Sequence, residues 1–149
     1  MKKQILEERK STLELSIPAF GYELIREELL TDLLGNDAPI ILYWAGKRIA
    51  RNYPLFTINE IRDFFQNAGW GNLHLLEEKN NEITFELSGD LIHHRLETKV
   101  NPTFQLEAGF LAEQIQQMRK VYAETFEHPK KRNYTVTFTV KWDHIPFNE

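Results

Sequence analysis

Apolar residues recur at helical spacing along three segments between residues 19 and 69. The first segment begins at Ala19 and carries an apolar stripe with charged residues between its members. The stripe consists of Tyr22, Ile25, Leu29 and Leu33. Steps of three and four residues are typical of a helix that buries one face. The pattern therefore predicts that this stripe faces the core and that four charged residues face solvent: Glu23, Arg26, Glu27 and Asp32.

Proline, glycine and capping residues mark the boundaries of the predicted helices. Gly35 ends the first helix, and Pro39 suits the first turn of a second helix. Thr57 and Glu60 have the spacing of a capping box, so a third helix is expected to begin there and to end at Gly69. Small residues thin one side of the second helix and favour close approach of another helix: Ala45, Gly46 and Ala50.

Apolar and polar residues alternate in much of the second half of the chain, as they do along β-strands. Strands are expected at 73–76 and 83–87, joined by a turn at 79–81. The segment 92–100 also alternates and predicts a further strand. The clearest alternation runs through 134–142, which predicts the last strand.

A long amphipathic helix is predicted between these strands, from Thr103 as its N-cap to about Glu127. Gly109 and Ala112 lie beside large apolar residues, an arrangement that lets a second backbone approach closely. The order of elements predicts an α+β fold with an antiparallel sheet. Residues 1–149 are expected to form a single domain, with residues 1–16 as a loosely held N-terminal arm.

Composition describes an ordinary globular chain with a surplus of aromatic rings. Of 149 residues, 42% are hydrophobic and 27% are charged, and there are ten Phe and three Trp. The net charge of −4 repels phosphate backbones, so nucleic acid is not an expected partner and the basic run 130–132 is interpreted as a solvated turn. No apolar run is long enough to cross a bilayer, so no membrane insertion is expected. The chain has no cysteine, which fits a reducing compartment, and a cytoplasmic location is predicted.

Few residues are spaced for chemistry. His93 and His94 are the obvious metal candidates, but adjacent residues on a strand point to opposite faces and cannot easily share one ion. Tetrahedral zinc needs three or four converging ligands, and no cysteine is available. Glu107 lies beside the small residues of the long helix and is expected to meet Arg48 or Arg26. No hydroxyl residue has a recognisable base, and no glycine-rich phosphate loop is present, so the sequence predicts no enzyme and no cofactor.

Four local strings resemble the YslB-like proteins, an uncharacterised family of Gram-positive bacteria. The strings are Phe20-Gly-Tyr-Glu-Leu-Ile-Arg26, Ile41-Leu-Tyr-Trp-Ala-Gly-Lys47, Phe104-Gln-Leu-Glu-Ala-Gly-Phe-Leu-Ala-Glu113 and Val136-Thr-Phe-Thr-Val-Lys-Trp142. The resemblance implies a fold similar to four-vinyl-reductase domains, transport-protein-particle (TRAPP) subunits and haem-nitric-oxide-binding domains. In that group helices pack on one side of a twisted antiparallel sheet, and members tend to dimerise or to hold an apolar small molecule. The cysteines that vinyl-reductase domains often carry have no counterpart in this chain.

These observations favour a non-enzymatic cytoplasmic binding or interaction module. It is expected to be a homodimer that binds a protein partner, or an apolar small molecule between its helices and sheet. Five rings are expected to line such a cavity: Trp44, Phe64, Phe110, Tyr122 and Phe138. The alternative for these rings is that they fill a closed core. The alternative function is a small metal-dependent hydrolase that uses His93 or His94 with a nearby carboxylate.

Overall fold

The computed structural model describes residues 10–99 and 102–146. The helices, in chain order, are α1 (Lys10–Leu13), α2 (19–34), α3 (Ala38–Asn52), α4 (Ile58–Asn67), α5 (Asp90–Thr98) and α6 (Gln105–Arg119). The strands are β1 (Asn72–Glu78), β2 (Glu82–Ser88), β3 (Val121–Lys130) and β4 (Thr135–Pro146). Helix α2 joins three consecutive stretches, Ala19–Glu23, Leu24–Leu29 and Leu30–Leu34, of which the middle one is π-helical. Of the expected N-terminal arm, residues 1–9 lie outside the described residues.

The four strands form one antiparallel sheet in the order β1-β2-β4-β3, so β1 and β3 are its edges. Three fully buried residues of β2 lie opposite three fully buried residues of β4: Ile83 with Val140, Phe85 with Phe138, and Leu87 with Val136. The alternate positions of these strands are mostly Thr and Glu. This alternation places the core on one face of the sheet, and the predicted α+β architecture is confirmed. Among the described residues, no helix is long and apolar enough to cross a bilayer.

The prediction of a strand over 92–100 is wrong, because Asp90–Thr98 forms helix α5. Ile92 and Leu96 are both buried, and a spacing of four residues satisfies alternation as well as helical periodicity. Gly89, with φ of 128°, turns the chain sharply between β2 and this helix. The sequence pattern is ambiguous over so short a segment, and the packing of the helix decides its conformation.

The prediction that the long helix continues to about Glu127 is also wrong. Helix α6 ends at Arg119, and strand β3 follows it. Lys120 adopts the left-handed conformation, with φ of 57°, and so ends the helix. Along β3, Val121, Ala123 and Thr125 are buried while the residues between them are exposed. Tyr122 therefore lies on a strand and not in the long helix that was predicted to include it.

Hydrogen bonds confirm two local predictions, the start of α4 and the turn between β1 and β2. The N–H of Glu60 donates to Thr57 Oγ1 at 3.1 Å, and the Glu60 carboxylate accepts from the N–H of Phe56 at 2.9 Å. Thr57 is thus the N-cap of α4 as predicted, and Glu60 satisfies the N–H of the residue before the cap, which is a variant of the capping box. In the turn between β1 and β2, the N–H of Lys79 donates to the carbonyl of Glu82 at 2.8 Å.

Helices α3 and α6 meet backbone to backbone at two glycines. A Cβ atom on Gly46 would lie 2.0 Å from the carbonyl oxygen of Leu106, and one on Gly109 would lie 1.9 Å from the carbonyl oxygen of Tyr43. Any larger residue would overlap the facing chain. The close approach predicted from the small residues of both helices is therefore confirmed, and the two helices are each other's partners.

Aromatic rings fill the space between these helices and α4. Phe64 stacks on Phe110 with ring centroids 4.6 Å apart. Trp70 meets Phe64, Phe65 and Phe110 edge-on, with centroids between 5.2 and 5.6 Å apart. Such offset and edge-to-face contacts are the favoured arrangements of packed rings. The surplus of phenylalanine seen in the composition is in part used as core.

Replacing Gly109 with alanine is expected to lower the free energy of unfolding by about 3 kcal/mol, because the facing atoms are backbone and cannot swing aside. Urea denaturation followed by circular dichroism measures the change. Gly21→Ala is the matched control, since a Cβ there meets nothing within 4 Å. Alanine within a helix is expected to stabilise the control by up to about 1 kcal/mol. Equal midpoints for the two variants would contradict the backbone contact.

Candidate interaction site

Helix α2 turns its charged side toward the core and its apolar side toward solvent. Across residues 19–34, Arg26 is the one buried residue. Five apolar side chains of this helix are between 38% and 70% exposed: Phe20, Leu24, Ile25, Leu29 and Leu33. The prediction that the apolar stripe faces the core is therefore wrong, because Ile25, Leu29 and Leu33 point away from it.

A buried cluster of ion pairs fastens α2 to helices α5 and α6. Arg26 Nη2 donates to Glu107 Oε1 at 2.5 Å, and Arg95 Nε donates to Glu27 Oε1 at 2.5 Å. Arg95 Nη1 also lies 3.8 Å from Glu107 Oε2. All four side chains are at most 9% exposed. The predicted pairing of Glu107 with Arg26 is confirmed.

The surroundings of Arg26 favour its charged form, and the contacts of Arg95 suit a guanidinium. Burial lowers the pKa of Arg26, but Glu107, Tyr22 and Glu27 together more than reverse this effect, so the pKa lies above its ordinary value. Arg95 donates a further hydrogen bond to the carbonyl of Thr103 at 2.7 Å, and its guanidinium lies 4.1 Å from the centroid of the Phe104 ring. A planar guanidinium can stack on a ring and donate hydrogen bonds from its edge at the same time, which an ammonium cannot do.

Three buried atoms of this cluster have no hydrogen-bond partner among the described residues: Arg26 Nε, Arg95 Nη1 and Glu107 Oε2. An incompletely satisfied buried charge keeps part of its desolvation cost, so the net stability that such pairs add is small. Removing one partner is a different matter, since it leaves the opposite charge buried alone. The cluster is better suited to fixing the position of α2 than to adding stability.

A second set of charges lies at the rim of the cluster. Glu23 accepts a hydrogen bond from Lys99 Nζ at 3.2 Å and lies 2.9 Å from His94 Nε2. Hydrogen bonds from Lys99 and His94 hold the pKa of Glu23 below its ordinary value. Glu23 and His94 border an open pocket of about 600 Å³ between α2 and α5, whose apolar walls include Phe20 and Leu91.

The two histidines proposed as metal ligands lie on helix α5, so they are separated by about 100° around the helix instead of lying on opposite faces of a strand. His93 stacks on Tyr134 with ring centroids 3.9 Å apart and lies 3.4 Å from Glu97. His94 pairs with Glu23. Within 10–99 and 102–146, no three His, Asp or Glu side chains are grouped as a metal site.

The five rings predicted to bind a ligand do not meet in one cavity. Phe64 and Phe110 stack on each other in the core, and Phe138 is fully buried in β4. Trp44 and Tyr122 are instead 58% and 63% exposed. The structure thus divides the set into three packed rings and two surface rings.

A groove that the sequence analysis did not anticipate runs along the free edge of β3 beside α3. Its volume is about 440 Å³. It is lined by Ile40, Tyr43, Trp44, Gln105, Glu124, Thr125, Phe126, Glu127 and His128. Tyr43 Oη accepts from the N–H of Thr125 at 3.1 Å, so a side chain takes the place of a fifth strand at this point. Strand β3 forms one wall of this groove. The apolar spacing predicted a helix for most of that segment, so the groove was not predictable from the sequence.

Glu127 caps the start of α6 from the neighbouring strand. Its two oxygens accept from the N–H of Phe104 at 3.2 and 3.1 Å, and Gln105 Nε2 donates to it at 2.6 Å. The prediction of Thr103 as N-cap is wrong by one residue, because Phe104 occupies that position. The Thr103 hydroxyl accepts from the N–H of Gln105 at 3.3 Å and donates to Glu127 Oε1 at 3.5 Å. Burial raises the pKa of the Glu127 carboxyl above its ordinary value. The capping residue is 23 positions away in sequence, so no local signal could identify it.

Arg95→Met is expected to lower the free energy of unfolding by about 3 to 5 kcal/mol, because it leaves the buried Glu27 without its ion-pair partner, while Glu107 keeps Arg26. Urea denaturation at neutral pH measures the loss. Arg62→Met is the control, because Arg62 is exposed on α4 and its loss is expected to cost less than about 0.5 kcal/mol. A loss no larger than that of the control would mean that the cluster is not closed in solution.

Comparison with known proteins identifies one family and one fold. Residues 19–141 match the family described as "Protein of unknown function (DUF2507)". The chain is 50% identical over 130 residues to the uncharacterized protein YslB of Bacillus subtilis (strain 168), which covers 87% of this chain and 88% of that one.

Among solved structures, the fold is similar to that of a vinyl-4-reductase family protein from Methanocaldococcus jannaschii. That similarity has a TM-score of 0.69 and 20% identity, and it covers 95% of this chain and 94% of the other. A mutant of an unliganded Fe(II) H-NOX protein from K. algicida aligns with a TM-score of 0.49 and 15% identity over 78% of this chain and 71% of that one. The first similarity confirms the fold that the sequence resemblance implied. Because residues 19–141 match the family and the similarity to YslB extends over most of both chains, the chain belongs to the DUF2507 family.

Proposed function

We propose that this chain is a non-enzymatic interaction module that works as a homodimer through its exposed N-terminal apolar residues. We call these residues the apolar N-terminal face: Leu13, Leu15, Ile17, Phe20, Leu24, Ile25, Leu29 and Leu33. Each is between 38% and 77% exposed, and all belong to one continuous stretch of chain. This exposed face is the observation that supports the proposal.

The size of the face fits a protein interface. A fully exposed large apolar side chain presents on the order of 200 Å², so eight such residues at these exposures present on the order of 800 Å². A stable interface buries about 800 Å² on each partner, whereas the largest apolar patch of a typical monomer is about 300 to 600 Å². In a two-fold dimer the same patch serves both subunits, so this one face suffices.

The charges around the face favour a second copy of the chain over a lipid surface. A helix that lies on a membrane usually flanks its apolar side with lysine and arginine. The exposed charged residues of α2 are instead Glu28 and Asp32, and the whole chain carries −4. An anionic bilayer would repel this helix. A cytoplasmic location is part of the proposal and is supported by the absence of cysteine from the sequence.

Double substitution of Ile25 and Leu29 by glutamate is expected to weaken self-association at least tenfold, because each charge would be buried without a partner at the two-fold interface. Analytical ultracentrifugation at micromolar concentration measures it. The unmodified protein is expected at twice the chain mass of 17.6 kDa and the double variant at the mass of one chain. Both residues are exposed, so the fold should be unchanged.

The matched control is Leu75→Glu with Leu76→Glu, which adds the same charge on the exposed edge strand β1. This control is expected to remain a dimer. An unmodified protein that stays monomeric would overturn the proposal, and equal dissociation of both double variants would move the interface elsewhere.

Two other hypotheses, binding of an apolar small molecule and metal-dependent hydrolysis, can each be tested directly. Native mass spectrometry of protein from its own host reports the subunit count and any retained small molecule together. Elemental analysis of the same sample tests the alternative enzyme built on His93 or His94, which requires a stoichiometric metal. Among the described residues, no three His, Asp or Glu side chains lie close enough together to hold a metal for such an enzyme.

A further inference from the structure

The pocket between α2 and α5 has apolar walls that face solvent. Ala19, Phe20 and Leu91 form these walls, and the volume of the pocket is about 600 Å³. Phe20 is 63% exposed, so most of the surface of its ring is uncovered. An open apolar pocket of this size favours an apolar occupant, because the occupant removes both surfaces from water.

The polar groups at the rim of this pocket do not call for a charged occupant. Glu23 accepts a hydrogen bond from Lys99 Nζ at 3.2 Å and lies 2.9 Å from His94 Nε2. Asp90 lies in the first turn of α5, where the helix dipole favours a carboxylate. These charges are balanced within the chain, so an occupant needs to supply only apolar surface.

The chain between α1 and α2 carries uncovered apolar side chains beside this pocket. We call residues 14–18 the connecting segment. Its Leu15 and Ile17 are 73% and 77% exposed, and every side chain from residue 12 to residue 20 is exposed. Pro18 has an extended backbone conformation, with φ of −60° and ψ of 137°. In an extended chain, side chains two residues apart point to the same side, so Leu15 and Ile17 can meet one apolar surface.

From these observations we infer that in the homodimer the connecting segment of each copy lies in the pocket between α2 and α5 of its partner, with Leu15 and Ile17 against the apolar walls. The connecting segment ends at Pro18 and the pocket begins at Ala19, so the two features adjoin on the chain. A two-fold axis beside this point brings each connecting segment next to the pocket of the other copy. The inference rests on the proposed homodimer and names the part of the partner that fills the pocket.

The reach and volume of the connecting segment fit this exchange. An extended chain spans at most about 3.6 Å per residue, so Leu15 reaches up to about 14 Å from Ala19. Removal of one buried large apolar side chain opens a cavity of about 150 Å³, so the pocket of about 600 Å³ has room for both side chains.

The exposure of the connecting segment favours a second copy over a small molecule as the occupant. Leu15 and Ile17 do not fill the pocket of their own copy, since neither lines it and both are exposed. A small apolar molecule in the pocket would leave these two side chains in water. Exchange between two copies covers the pocket and the connecting segment together.

Disulfide trapping tests the exchange without interference from native thiols, because the chain has no cysteine. Purified Ile17→Cys and Leu91→Cys proteins are mixed, left to exchange subunits and oxidised with diamide. Each chain then holds one cysteine, so any disulfide between positions 17 and 91 joins two copies. A disulfide requires Cβ atoms about 3.8 Å apart, so its rapid formation reports contact between these positions. Mass spectrometry of tryptic peptides measures its yield over time.

The control mixes Ile17→Cys with Leu76→Cys, whose substituted residue is 53% exposed on the edge strand β1. Contact within a dimer gives the thiols a roughly millimolar effective concentration, far above the micromolar concentration of colliding chains. The 17–91 disulfide is therefore expected to form at least about tenfold faster than the 17–76 disulfide. Leu15→Cys with Leu91→Cys is a second test pair, and this preference in either pair supports the exchange.

Failure of the exchange and failure of the proposed homodimer give different results. Chains that stay monomeric in the ultracentrifuge would overturn the homodimer and the exchange with it. A dimer in which neither test pair forms a disulfide faster than its control would overturn the exchange alone and leave the homodimer in place.

A substitution in the pocket, outside the apolar N-terminal face, provides a second measurement. Leu91→Asn is expected to weaken self-association about fivefold, because the partner's connecting segment loses an apolar contact. Leu76→Asn is the control and is expected to associate as the unmodified protein does. Circular dichroism shows that both variants are folded before they are compared. Equal dissociation constants for the two variants would contradict the role given to the pocket.

Discussion

The pairing of Arg26 and Arg95 with Glu107 and Glu27 decides how the first long helix lies on this protein. A buried guanidinium requires a carboxylate beside it, so Arg26 can be buried only where Glu107 meets it. Once Arg26 points inward, the apolar residues on the other side of α2 must point outward. The orientation of the helix therefore follows from charge satisfaction, in contrast to most surface helices, whose orientation follows from burial of an apolar stripe.

The local geometry of α2 is consistent with this constraint. The stretch Leu24–Leu29 is π-helical and surrounds Arg26, and the N–H of Leu30 bonds to the carbonyl of Ile25, five residues earlier. Such widened turns are rare and are often found at functional positions. Here the widened turn lies where the helix presents a guanidinium inward and an exposed apolar surface outward.

The backbone contact of α3 with α6 provides the rigid frame for both the ion cluster beside α2 and the groove beside β3. Gly46 and Gly109 bring the helices so close that neither can shift along the other without a clash. Helix α6 carries Glu107 toward α2, and α3 carries Tyr43 and Trp44 toward the free edge of β3. One helix pair thus positions the ion cluster on one side and the groove on the other.

The sequence by itself determined the elements that are fixed locally. The capping box at Thr57, the helix that begins near Pro39, the small residues of α3 and α6 and the alternation of β4 all depend on neighbours a few positions apart, and all were predictable. The pairing of Glu107 with Arg26 was predictable as one of two options.

Tertiary structure alone decided the direction of α2, the helical state of α5 and the change from α6 to β3. The apolar spacing of α5 and of the segment after α6 is compatible with either a helix or a strand. The spacing of α2 predicts a helix but does not decide which side of it is buried. The choice depends on partners distant in sequence, such as Arg95 for Glu27 of α2 and strand β4 for the segment that follows α6. Because the pattern of one segment does not contain the positions of its partners, periodicity could not reveal which side would be buried.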